Sequence, residues 1–313
     1  MKSQLDLLIN KQLSINIWTD VYGFSRSLLA LGTFLTLASN NIYVLYKPYA
    51  GGTETCVNCL GLARLSIFCL MSLPFAKIVS LIILSLVVIG FRPRITAIFH
   101  VWVTTSLMTT AVLVDGGDQV ATVLSILILP IALTDNRKWH WTNPVNASYP
   151  FKTLGKIQAL VAYSSWVMIR LQIALIYFEA CVGKLKTVEW VNGTSVYYWF
   201  SNPEFGLSKP VLTFLIPALS NPILIVIITW SVLIIEGLIF LGIALPVKQR
   251  QYLLLLGILF HFLIFLIHGL PTFFLSMTAS LILFLRHPAQ IFDFENKFKN
   301  VKQRVFNRAQ VDV

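Results

Sequence analysis

Apolar residues along this chain fall in long runs separated by short polar breaks. Runs near 22–45, 75–91, 95–115, 118–134, 157–182, 222–245, 251–269 and 270–286 each approach the length that crosses a bilayer. At ~1.5 Å rise per residue, about 20 apolar residues span the ~30 Å hydrocarbon layer. Lipid offers the backbone no hydrogen-bond partner, so such a run must pair its own N–H and C=O groups as a helix. The pattern predicts an all-α polytopic integral membrane bundle of about eight transmembrane helices. Two shorter apolar stretches, 60–73 and 210–220, do not fit the alternation of sides and are expected as interfacial or re-entrant pieces on the outer side. The first twenty residues are polar, with Leu5, Leu8, Ile9 and Leu13 at helical spacing, so a retained first span is expected rather than a cleaved signal.

Composition agrees with this pattern. The chain has 313 residues, of which 57% are hydrophobic and 12% charged, and a mean hydropathy of +0.76. Soluble domains carry roughly 25% charged residues. With half of that, lipid must cover much of the surface. The net charge of +11 then reads as a topology signal. If the N-terminus is inside, Arg92, Arg94, Arg137, Lys138, Lys152, Lys156, Lys248, Arg250 and the basic tail all fall inside. Outside remain Lys47, Arg64, Lys77, Lys184, Lys186 and Lys209. By the positive-inside rule both termini are cytoplasmic. This divides the chain into a cytoplasmic segment over 1–21, a transmembrane domain over 22–286 and a basic cytoplasmic tail over 287–313. The basic groups are spread over loops that flank helices, which is a poor fit to nucleic-acid binding and a good one to a lipid bilayer as partner. In the tail, Phe294, Phe298, Val301 and Val305 share a helical stripe among Lys and Arg. That suits an amphipathic helix on anionic lipid, or a disordered basic tail.

Ionisable groups inside a span cost at least a few kcal/mol each on insertion scales, so they mark either buried pairs or polar cavities. Arg26, Arg170, Gln172, Glu236 and His261 are the intramembrane polar residues of this sequence. Arg170, Glu236 and His261 count to mid-depth, and an Arg170–Glu236 pair is the natural expectation. Glu179 shares a helix face with Gln172, and His268 lies two turns beyond His261. Lys184 and Lys186 close the outer end of the span that carries Glu179. Either they snorkel to the interface, or partial burial frees Lys184 as a base. Asp115 and Asp118 sit in a Gly-rich outer turn, where they either are solvated, or hold a cation or orient a lysine. The segment 190–200 holds Trp190, Tyr197, Tyr198 and Trp199, an aromatic density suited to the interface or to holding a substrate. Cys56 and Cys59 form a C-x-x-C pair in the first outer loop, where a local disulfide is the default and thiol exchange the sharper alternative. No ligand set for a metal and no cofactor follows from these residues. The chain contains no G-x-S-x-G, H-E-x-x-H or Walker motif.

Several blocks resemble the sporulation-delaying protein B family. They run from Ile17-Trp-Thr-Asp-Val-Tyr-Gly-Phe-Ser-Arg26 through Arg92-Pro-Arg-Ile and Asp115-Gly-Gly-Asp-Gln119 to Leu129-Pro-Ile-Ala-Leu-Thr-Asp135 and Lys138-Trp-His-Trp141. The resemblance implies a multi-pass protein of the bacterial plasma membrane. Its implied work is maturation of a secreted antimicrobial peptide, with an SdpA-like partner and an SdpC-like toxin precursor. A scaffold or export component and a toxin-immunity protein are the alternatives. A second passage, Tyr177-Phe-Glu-Ala-Cys-Val-Gly-Lys184-Leu followed by Glu189-Trp190-Val-Asn-Gly193, is similar to the signature of the horizontally transferred transmembrane (HTTM) domain. That domain also forms the membrane part of vitamin K-dependent γ-carboxylase. This second resemblance implies that Lys184 is a catalytic base. Glu179, His268, Asp115 and Asp118 are then its candidate tuners.

Overall fold

The structure is a computed structural model that describes residues 15–47, 57–142, 153–203, 205–288 and 290–292. The expected N-terminal amphipathic stripe, Cys56, and the tail stripe from Phe294 to Val305 lie outside the described residues.

The helices are α1 (Asp20–Ser39), α2 (Ile42–Leu45), a 3-10 turn (Gly61–Leu65), α3 (Ile67–Leu70), α4 (Leu73–Val88), α5 (Pro93–Thr110), α6 (Gly116–Leu133) and α7 (Thr153–Leu185). They continue as α8 (Val188–Val191), α9 (Ser195–Ser201), α10 (Lys209–Leu219), α11 (Pro222–Leu241), α12 (Val247–His268) and α13 (Pro271–Leu285). Every apolar run of the sequence carries a helix. Five of them (α1, α6, α7, α11 and α12) are long and apolar enough to cross a membrane, and α4 and α13 are shorter apolar helices. The chain is thus an all-helical membrane protein. Among the described residues the sole β-pairing is an isolated bridge between Phe91 and Trp139.

Local chemistry sets the helix ends. Asp115 caps α6 by accepting from the Asp118 N–H at 2.8 Å. Asn221 caps α11 by accepting from the N–H groups of Ile223 and Leu224, with Pro222 at the first helical position. Both satisfy donors that have no partner within the helix. Gly269, at φ +67°, ends α12 with its N–H on the Phe265 carbonyl, a left-handed stop that glycine adopts without a steric cost.

Two compact units emerge, residues 1–167 with 287–313, and residues 168–286; the boundary falls within α7. In the first unit α1 packs on α4 and α6, and α5 lies between α4 and α6. Its outward rows are apolar: Phe75, Ile78, Ile82 and Leu86 of α4 are all exposed. Its inward positions include small and hydroxylated residues. Thr104 and Ser125 meet at 2.9 Å, Thr122 donates to the Thr104 carbonyl at 3.2 Å, and Ser165 donates to the Leu127 carbonyl. This arrangement suits lipid, where apolar side chains gain nothing by turning inward and small or hydroxylated ones let helices approach. In the second unit α12 packs on α13 and α11, and α9 and α10 pack on α11. Ile223, Ile227, Ile234 and Leu238 form the exposed row of α11.

The loop between α2 and α4 corrects one expectation. Cys59 is bonded to Cys69, so the expected Cys56–Cys59 disulfide or redox pair does not form. The apolar stretch 60–73 folds back as a 3-10 turn and then α3, and this return brings Cys69 to Cys59. Ser106 of α5 accepts the Ile67 N–H at 3.1 Å, and Trp102 donates to the Leu65 carbonyl at 2.8 Å. Leu60, Leu62 and Leu65 are exposed, as in an interfacial piece.

Candidate functional site

Residues 177, 181 and 184 recur at i, i+4 and i+7, so Tyr177, Cys181 and Lys184 share one face of α7. Each meets a neighbouring helix of the second unit. The Lys184 ammonium donates to both oxygens of Glu236 on α11, at 2.6 and 2.8 Å. Cys181 donates to the carbonyl of Leu233, one turn before Glu236, at 3.6 Å. The Tyr177 hydroxyl and His261 Nε2 of α12 are 2.8 Å apart. Three helices are therefore joined by three polar contacts along one face of α7, which runs from the buried Tyr177 to the half-buried Cys181 and Lys184.

The environment of the ion pair is asymmetric. The Glu236 side chain is 8% exposed and that of Lys184 is 25% exposed. Lys184 thus stands between a desolvated carboxylate and the protein surface. Its open side is covered by the ring of Trp190, whose centroid lies 5.4 Å from Nζ, within cation–π range. Beyond it the aromatic segment is held by His268. Its Nδ1 lies 2.5 Å from the Phe205 carbonyl, so that nitrogen carries the proton. Its ring meets Trp199 and Phe200 edge-on. Tyr197, Tyr198 and Trp199 remain exposed, and Gly193, at φ +76°, lets the loop pass against Val226, where a Cβ would lie 2.8 Å from the Val226 side chain.

The other expected site residues separate from this arrangement. Arg170 does not pair with Glu236. Its Nε donates to the Phe284 carbonyl at 3.2 Å and its guanidinium lies over the Phe284 ring. Lys184 occupies the carboxylate instead: it lies on nearly the same face of α7 as Arg170 but ~21 Å further along the axis, so the expected mid-depth pairing fails in depth. Glu179 is exposed. Two residues on from Tyr177 it is rotated ~200° around the helix, away from Glu236. Gln172 is half-buried. Asp115 and Asp118 belong to the first unit, where the buried Asp118 carboxylate accepts from Thr36 at 3.1 Å. His261 Nδ1 is buried without a partner.

Arg26 leads to a second polar centre, in the first unit. It is fully buried, donating to Thr96 at 2.8 Å and to His140 Nδ1 at 3.3 Å. Arginine is donor-only, so Nδ1 must be the bare nitrogen and Nε2 the protonated one. His140 Nε2 then donates to Ser27 Oγ at 3.1 Å, and Ser27 donates onward to the Val88 carbonyl at 2.7 Å. Burial first, then the charges of Arg26 and Arg137, push the His140 pKa well below its ordinary value of 6.5. Arg137 grips Asp135 with two nitrogens, at 2.9 and 2.8 Å, and donates to the His140 carbonyl at 3.0 Å. Nothing in the residue pattern around His140 marks it as interior. Tyr177 is not among the expected site residues, although its spacing of seven from Lys184 is a usable signal.

The chain is 40% identical over 276 residues to the uncharacterized protein YitO of Bacillus subtilis (strain 168), covering 86% of each. It is 37% identical over 280 residues to the sporulation-delaying protein SdpB of the same organism, covering 88% of this chain and 83% of that relative. No family model and no solved structure matches the chain, so the HTTM resemblance rests on the motif around Lys184. With this identity sustained over nearly the whole length, the chain belongs to the sporulation-delaying protein B family.

Proposed function

We propose that this protein acts in the maturation of a secreted antimicrobial peptide, an SdpC-like precursor, together with an SdpA-like partner, and that the Lys184–Glu236 pair is its working site. The observation that carries this reading is the ion pair itself. A charged pair at this depth is costly, and a partly open lysine against a desolvated carboxylate is a poor choice for stability alone. An ammonium has no lone pair, so Lys184 becomes a base or nucleophile only after giving up a proton. Glu236, at 2.6 Å, is placed to receive it. The neutral amine then faces the ring of Trp190, which leads into the segment with the exposed Tyr197, Tyr198 and Trp199 that would hold an extended peptide. The HTTM motif supports the choice of this lysine.

A scaffold reading has its own support in the same exposed aromatics, which could bind a precursor or partner without chemistry. Intact-mass spectrometry of the peptide released by cells carrying precursor and partner separates the two. The proposal expects the wild-type protein to change the peptide's mass or length and Lys184→Met not to. A Lys184→Met chain that is folded and releases the same product as wild type would leave only the scaffold.

A further inference from the structure

A cationic concavity lies in the first unit. A cavity of about 290 Å³ is lined by Arg92, Arg94, Ile95, Asp135, Asn136, Arg137 and Lys138. Asp135 is its sole acid, and the two-pronged grip of Arg137 neutralises it. Arg92, Arg94 and Lys138 therefore leave an excess of positive charge, and all three are exposed. The side chains of Arg94 and Lys138 have no hydrogen bond or ion pair to the protein among the described residues.

The backbone around this cavity is held in a form that it would not adopt unassisted. Arg92 has φ +38°, a left-handed conformation, and is the only non-glycine residue with positive φ among those described. Its N–H is tied to the Lys138 carbonyl at 2.8 Å, beside the Phe91–Trp139 bridge. Thr96 braces the turn through the Phe91 carbonyl at 2.8 Å. Such strain costs about 1–3 kcal/mol and persists where surroundings over-determine it, most often at functional positions. Here the tie fixes the loop bearing Lys138 against the helix bearing Arg94. Running away from the cavity along α5, Ile95, Ile98 and Phe99 form an exposed apolar row at i, i+3 and i+4. The cavity is thus a cationic cup at the end of a lipid-facing stripe.

We infer that this cavity is a binding site for the headgroup phosphate of an anionic phospholipid, whose acyl chains lie along Ile95, Ile98 and Phe99. Guanidinium groups match phosphate oxygens two at a time, and the lysine adds a point charge. The basic loops around it fall on the side that the positive-inside pattern makes cytoplasmic, where such headgroups face basic pockets. The inference is independent of the Lys184 reading.

The test titrates the full-length protein in mild detergent with phosphatidylglycerol, with phosphatidylcholine of the same acyl chains and with inorganic phosphate, and counts bound ligand by native mass spectrometry. Phosphatidylglycerol is expected to bind at least tenfold tighter than phosphatidylcholine, and more weakly as salt is raised. Arg94→Gln with Lys138→Gln should weaken it about tenfold, and Lys248→Gln should not. Lys138→Gln alone keeps the backbone tie to Arg92 and should give a smaller loss of the same sign, which guards against misfolding of the double variant. Equal binding of the two lipids, or undiminished phosphatidylglycerol binding by both variants, overturns the site. Inorganic phosphate binding as tightly as phosphatidylglycerol would make the ligand a soluble phosphate and overturn the lipid assignment.

Discussion

A methyl group at residue 90 would have no room. Gly90 has φ +82°, and a Cβ there would lie 2.4 Å from His140 Cδ2, while one at Gly23 would lie 2.8 Å from the His140 carbonyl oxygen. Two glycines thus make the slot into which His140 fits. Gly90→Ala should cost at least ~1–3 kcal/mol from the backbone alone, read as a lower midpoint of thermal unfolding in detergent; an unchanged midpoint would mean that the slot is looser than described. The same residue predicts a pH dependence. His140 is held neutral in the fold by burial and by Arg26 and Arg137, while the unfolded chain takes up a proton near the ordinary value of 6.5. The unfolded state therefore binds more protons in acid. Stability is full above about pH 7.5 and falls as pH drops through 6.5, by at most ~1.4 kcal/mol per pH unit. Thermal midpoints between pH 5.5 and 8 should show this, and His140→Gln should flatten the slope; a wild-type midpoint independent of pH in that window would contradict it. At this scale the sequence was legible in direction but not in depth. Glu236 stood out at mid-span because a carboxylate there needs a partner, yet counting from the ends of one helix does not fix which turn of another lies level with it. Arg170 was the expected partner; Lys184, on nearly the same face of α7 and about four turns further along, takes its place.

Among the elements, apolar runs translated into helices because lipid leaves the backbone no other choice. Breaks within runs were less visible. The first run divides where Asn41 accepts the Tyr43 N–H and starts a separate turn. The stretch 60–73 divides where Ser66 accepts the Phe68 N–H and begins α3. That second break is why Cys59 meets Cys69 rather than its nearer neighbour in sequence. A non-reduced digest should contain a peptide linked through Cys59 and Cys69, and Cys69→Ser should lower stability by roughly 2–3 kcal/mol, the value for so short a loop. A digest in which Cys56 and Cys59 are joined would contradict the described loop. Closing this loop also pins the 3-10 turn on α5, where Trp102 and Ser106 hold it.

For the whole molecule, membership of the sporulation-delaying protein B family sets the biological setting, and the helical membrane body sets where the work is done. Each unit has its own buried polar centre, Arg26–His140 in the first and Lys184–Glu236 in the second. The first is enclosed: Arg26 is tied to Thr96 and His140, and His140 to Ser27, with glycines packed against the ring and Arg26 Nε left without a partner, as expected of a centre that fixes helix positions. The second is half open, with Lys184 partly exposed against the ring of Trp190, as expected of one that meets a substrate. A buried pair kept for packing and a pair kept for chemistry respond differently to joint removal. In the packing case each single change strands a charge and costs ~3–5 kcal/mol, and removing both charges relieves that cost. In the chemical case the double change restores nothing, since the proton carriers are gone. The decisive measurement is the yield of mature peptide, by intact mass, from cells carrying Lys184→Met, Glu236→Leu or both, normalised to the amount of folded protein. Lys184 and Glu236 acting as a working pair predict a loss of at least ~100-fold in all three. Recovery to near wild-type yield in the double variant would show that the pair only holds α7 to α11.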